Sequence, residues 1–191
     1  CALGWACWKT YMGRPEGDRD RIDSMTQLAN GLSEPAVARY TEALAVYEAN
    51  LAMNRRFGRR EDSNAILAVQ TNIAYTLSLL DRDEEALELE RTIYRIQKAS
   101  YGIDNVGTIK AALNLSVSLA TLKHFAEARA LAQKIIPVAQ RTFGPDHDLT
   151  LCCRRNSVDA VRDDPKSTLA DLRLAETSLR DVCRKTRPVI G

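Results

Sequence analysis

No run of apolar residues in this sequence approaches the roughly 18 that a membrane-spanning helix needs. No basic stretch followed by a small-residue cleavage site opens the chain, so nothing reads as a secretory leader. Charge of one sign is lacking too. The 27 Lys and Arg against 25 Asp and Glu leave a formal net charge of +2, too weak a field to point to nucleic acid or to an anionic membrane surface. The five cysteines, Cys1, Cys7, Cys152, Cys153 and Cys183, form no C-x-x-C pair, which removes zinc sites of the usual spacing. Their number is odd and two are adjacent, a poor fit to a disulfide framework. Free thiols in a reducing, cytoplasmic compartment are expected. The isolated His124 and His147 have no nearby ligand set, so no metal or other cofactor is implied. There is no Gly-rich phosphate loop, no G-x-S-x-G elbow and no H-E-x-x-H, and nothing marks the chain as an enzyme. It begins at Cys1 rather than Met, which reads as a piece of a longer protein.

What the sequence does contain is a repeat. Gly58, Gly102 and Gly144 are separated by 44 and 42 residues, and Asn72, Asn114 and Asn156 by 42 and 42. Ala43, Ala86, Ala128 and Ala170 follow at 43, 42 and 42. Chance agreement among three anchor types is improbable, and the period suits two-helix repeats, so an all-α fold is expected. Residues 1–14 read as the end of a preceding repeat, 15–58 as repeat one, 59–102 as repeat two, 103–144 as repeat three, and 145–191 as repeat four with a ragged end.

The helices are expected at 3–11, 21–32, 37–57, 63–80, 84–101, 106–122, 126–143, 147–161 and 167–185, from apolar stripes bounded by Gly, Pro and Asp turns. Trp5 and Trp8, at i and i+3, share a face that should pack on the first complete repeat. Ser63 is placed to cap a helix. Leu113, Leu115, Val117 and Leu119 are the expected core of the 106–122 helix. Pro137 predicts a bend near Lys134. Ala74 with Ala86, and Ala29 with Ala43, sit where the two helices of a repeat cross.

Gly144-Pro145-Asp146-His147-Asp148-Leu149-Thr150-Leu151 resembles the linker of tetratricopeptide repeats of the kinesin light chain type, whose period is near 42. Asp148 replaces the usual proline. The Asn-x-Ala core of that repeat is kept as Asn72-Ile73-Ala74 and weakened to Asn114-Leu115-Ser116 and Asn156-Ser157-Val158. Glu84-Glu85-Ala86, Ala126-Glu127-Ala128 and Thr41-Glu42-Ala43 match its second-helix signature, and the likeness covers residues 15–186. It implies a right-handed superhelical solenoid of antiparallel helix pairs, about four repeats plus a partial N-terminal helix.

In such an array the first helices line a concave groove. Asn72, Asn114 and Asn156 would form an amide ladder there, with Gln27 in the matching place of repeat one. The resemblance gives these amides the backbone of a partner's peptide segment, since an amide both donates and accepts. Bonds to backbone groups within their own repeat are the alternative. Lys110, Arg154 and Arg155 lie on the same helices and would favour an acidic segment, or else form an ordinary solvated face. Three roles stay open: a non-catalytic scaffold binding a protein or peptide partner, a structural array with an empty groove, and a regulatory domain of a larger enzyme.

Overall fold

The linker glycines sit where an L-residue would be strained. In the computed structural model, which describes residues 2–186, Gly58, Gly102 and Gly144 have φ of +74°, +82° and +96°. A Cβ at any of the three would meet open space, so the demand is on the backbone alone. Cys1 and the ragged end at 187–191 lie outside the described residues.

Among the described residues the regular elements are α-helices: α1 (Ala2–Tyr11), α2 (Arg19–Ser33), α3 (Tyr40–Arg56), α4 (Asn64–Ser78), α5 (Asp83–Tyr101), α6 (Val106–Thr121), α7 (Phe125–Phe143), α8 (Asp148–Arg162) and α9 (Leu169–Thr186). The chain divides into two compact units, Cys1–Ile93 and Tyr94–Gly191, with the boundary inside α5.

The even-numbered helices start on side-chain caps written within three residues. Asp18 accepts from the Arg21 N–H, Ser63 from Ile66, Asn105 from Gly107 and the His147 ring from Leu149, over 2.8–3.4 Å. The longer helices start differently. Arg39 pairs with Glu42, Arg82 grips Glu85 through two 2.7 Å bonds, and His124 lies 3.7 Å from Glu127. In α9, Thr168 and Asp171 bond each other's backbone N–H at 3.2 and 2.9 Å, a capping box. One i, i+3 pairing thus recurs at the start of α3, α5, α7 and α9 with changing chemistry.

In the first unit, α1 packs on α2, α2 on α3 and α3 on α4. The core there gathers Leu28, Ala29, Leu32, Ala43, Leu44, Tyr47, Val69, Ile73, Leu77 and Ala86. Each fully buried large aliphatic side chain in such a core contributes about 1.5–3 kcal/mol. Ala29, Ala43, Ala86 and Ala128 are completely buried and Ala74 nearly so. Where two helices cross this closely, only small side chains fit. Two buried amides complete this core: Asn50 donates to the Ile22 carbonyl at 2.6 Å and to Thr26 Oγ1 at 3.1 Å, and Asn54 donates to the Asn50 carbonyl. In the second unit α6 packs on α7 and α8, α7 on α8, and α8 on α9.

Several expectations need correction. The contact of α1 with α2 is set by Gly4, where a Cβ would stand 2.7 Å from the Gln27 carbonyl oxygen. Trp8 packs against the core, but Trp5 is 40% exposed. Helix α3 starts at Tyr40 rather than residue 37, because Ala38 has φ +51° and the Arg39 N–H turns back to the Leu32 carbonyl at 3.0 Å. Helix α6 buries Ile109, Ala112, Leu115, Ser116 and Leu119, which leaves Leu113 half-buried and Val117 exposed.

Ala170 is exposed. The turn before α9 spans six residues, 163–168, and counting from its cap at Thr168 the place of Ala43 and Ala86 falls on Leu172. The small residue that α9 buries is Ala175. Helix α7 runs unbroken through Pro137. Pro137 removes the donor that the Gln133 carbonyl would use, and both residues are exposed, so water can take that place.

Two substitutions test this packing. Ala86→Leu forces apart helices that meet at a fully buried methyl, and it is expected to cost about 1–3 kcal/mol in urea unfolding. Ala38→Gly relieves a left-handed residue whose neighbours need no side chain, and a gain of about 0.5–1 kcal/mol is expected from the same measurement.

Candidate functional site

Asn30 stands 42 residues before Asn72 and three after Gln27. In the first unit Asn30 lies on α2 and Asn72 on α4. The Asn72 amide donates to Asn30 Oδ1 at 3.5 Å, and the Tyr47 hydroxyl donates to the same oxygen at 2.5 Å. Asn30 is exposed and Asn72 half-buried. Counted from the helix caps at Asp18 and Ser63, the place matching Asn72 on α2 is held by Gln27, which is exposed, and Asn30 stands one turn further on, in the place of Tyr75. Part of the Asn72 amide is thus engaged within the array, by a side chain of the preceding repeat rather than by the backbone of its own.

In the second unit Lys110 and Asn114 are exposed on α6, and Arg155 is exposed on α8. Asn156 is half-buried and lines a cavity of about 10 Å3 with Ala112, Leu113, Ser116, Leu131, Ala132, Ile135 and Cys153. That space holds about one water at most. Arg154 does not join this face. Its guanidinium bonds Asp181 at 2.7 Å and reaches Ser178 Oγ at 3.4 Å, tying α8 to α9. The basic character expected of the groove reduces to Lys110 and Arg155.

Sequence patterning misses an apolar component of these faces. Tyr75 is 58% exposed and Val117 51% exposed, and each stands three residues after a ladder asparagine. They too are 42 apart. Each unit therefore presents an amide with an apolar side chain one helical turn further on. Two roomier hollows of the second unit, about 580 and 320 Å3, lie elsewhere: one between the turns before α7 and α9, the other among α7, α8 and α9.

The remaining chemically capable residues are structurally occupied. His147 caps α8 and stacks on Phe143 with ring centroids 4.9 Å apart. His124 faces Glu127. Among the described residues no group of three or more His, Cys, Asp or Glu is placed to hold a metal ion, and no helix is long and apolar enough to cross a membrane. The described cysteines are free thiols. Cys153 is buried, and burial pushes its thiol up to about 11, with the adjacent Cys152 adding to the shift.

Residues 66–140 match the family model of the tetratricopeptide repeat. Over that span, less than half of its length, the chain is similar to tetratricopeptide repeats. Solved structures share the fold. The nearly identical TPR-like repeats assigned to a kinesin light chain of Podosopora anserina align with a TM-score of 0.79 at 17% identity, covering 97% of this chain and 85% of that one. A glutamine-to-methionine variant of those repeats gives a TM-score of 0.76 at 19% identity, over 96% and 82%. BtubC (BKLC) from P. vanneervenii gives 0.78 at 15%, over 96% and 70%. Identities this low speak for the fold alone. No curated protein sequence matches the chain. Tetratricopeptide repeats as a class mediate protein–protein interaction.

The thiols give a check on the packing around the Asn156 cavity. At pH 8, iodoacetamide is expected to label the exposed Cys183 first and the buried Cys153 last, read by peptide mass spectrometry; early labelling of Cys153 would show that α6, α7 and α8 open there.

Proposed function

We propose that the chain is a non-catalytic, cytoplasmic protein-interaction scaffold whose first-helix faces hold an extended peptide segment of a partner. The observation that carries this is the recurrence of an amide nine residues after each first-helix cap, at Gln27, Asn72, Asn114 and Asn156, each exposed or half-buried on a helix whose opposite face is core. A residue kept at a fixed register without contributing to the core serves a face that solvent or a ligand can reach. Amides suit a peptide backbone because they match its N–H and C=O without selecting a side chain. Tyr75 and Val117 add apolar contact beside them, and Lys110 and Arg155 favour an acidic segment through charge complementarity. Gln27, exposed on α2, supplies the amide of the first repeat on this face.

A structural role finds support at one position only, where Asn72 bonds Asn30 inside the array. The two functions separate in a pull-down that compares wild type with the Asn72/Asn114/Asn156→Ala triple variant. The variant is expected to keep its helical circular dichroism and to lose partners that the wild type retains. Retention of every partner by a folded variant would leave the array as a structural element.

A further inference from the structure

We infer that the hollow among α7, α8 and α9 is a binding site for a small aliphatic carboxylate. At about 320 Å3 it falls in the size range of small-molecule sites. No residue of the amide ladder lines it, so such a ligand is independent of the peptide segment proposed above.

The first unit shows what this joint holds when it is filled. Counting from the helix caps, Arg129 stands in the place of Leu44, Arg154 in that of Gln70, Ser157 in that of Ile73 and Val161 in that of Leu77. Counting from the i, i+3 pairs that open α5 and α9, Ala175 stands in the place of Leu89. Leu44, Ile73 and Leu77 are buried in the core of the first unit, and Leu89 packs against it. The last joint therefore has cations and shorter side chains where the first has leucine and isoleucine. Shortening core side chains leaves space that the backbone closes only in part. Truncation alone would make that space apolar; the arginines give it charge.

Two ion pairs aim these arginines. Arg129 commits one terminal nitrogen to Asp164, at 2.8 Å, and to Ser167. Arg154 bonds Asp181 at 2.7 Å and Ser178 Oγ at 3.4 Å. Neither Asp164 nor Asp181 lines the hollow, so both hold the guanidiniums from outside it. A guanidinium has five N–H donors in a planar fork, and each of these retains donors beyond those bonds. With side chains 24% and 14% exposed, both cations have lost most of their water. A guanidinium already oriented and largely desolvated is a strong receptor for a carboxylate.

Asp171 is the remaining charge on the lining. Hydrogen bonds from Thr168, with Arg129 adding to their effect, hold it below the usual carboxylate range, so it stays ionised at its own cap. Two cations and one anion leave the lining one positive charge, which a monocarboxylate neutralises. Ile136, Val158, Val161 and Ala175 supply an apolar wall. That wall favours a short branched hydrocarbon chain behind the carboxylate over a bare oxyanion.

The probe is isocaproate, with its neutral isostere isocaproamide as control. Each is titrated into the full chain at pH 7 and followed by NMR at the methyls of Val158 and Val161. The acid is expected to shift these methyls with a Kd of about 1 mM, and the amide to bind at least about tenfold more weakly. Arg154→Gln, which installs the residue of the first unit, should weaken the acid about tenfold and leave the amide unchanged. The Arg129→Leu/Ser157→Ile variant refills the joint as the first unit fills it; it should keep its helical circular dichroism and bind neither compound. Equal affinity for acid and amide, or no shift with isocaproate up to about 10 mM, would overturn the inference. So would undiminished binding of the acid by Arg154→Gln or by the folded, refilled variant.

Discussion

Two helices that approach until their backbones nearly touch can carry only small side chains at the crossing. Most of this structure follows from that constraint. Ala29, Ala43, Ala86 and Ala128 are fully buried, and Gly4 brings α1 so near α2 that a single methyl would strike a carbonyl oxygen. Close crossing lets the larger residues, such as Ile66, Leu67 and Ile109, fill the layer around it without voids. It also commits each helix's apolar face to its neighbours. Whatever the remaining faces do is decided by polar groups.

Those polar groups are mostly engaged. Arginines and carboxylates are used in pairs that hold turns and joints: Arg82 with Glu85, Arg129 with Asp164, Arg154 with Asp181, Arg141 with Asp104. The exposed pairs among them, Arg82 with Glu85 and Arg141 with Asp104, contribute little to stability, typically under about 1 kcal/mol, and their use here is geometric, since each marks where one element must begin or meet the next. His147 serves as a cap, His124 faces Glu127, and Cys153 is buried. The groups left on the first-helix faces are amides, one exposed aromatic or aliphatic side chain per unit, and a few cations.

The fold is legible in the sequence because it is written several times over. Wherever a signal recurs, as with Gly58, Gly102 and Gly144, one worn copy is corrected by the others. The misses fall where the copies differ. Residues 34–39 and 163–168 lengthen two turns, which makes Val37 read as helix and Ala170 as core. Val117 reads as core because hydrophobicity carries no direction; its register partner Tyr75, also exposed, holds the better clue. In the candidate site, Asn72, Asn114 and Asn156 follow from spacing, and Gln27 follows once the longer first repeat is allowed for, nine residues after the cap at Asp18. Tyr47 is beyond such counting, because its bond to Asn30 joins residues of two helices through a side-chain geometry that no periodicity encodes.

The side-chain caps have an evolutionary side. Each even-numbered helix finds its start signal within three residues of its own beginning, at Asp18, Ser63, Asn105 or His147. A duplicated gene segment of one period therefore arrives with its own punctuation and borrows none from the copy it lands beside. Such an array can lengthen or shorten by unequal recombination without redesigning a joint. The four caps have since diverged to four different residues, as expected when each copy answers only for itself.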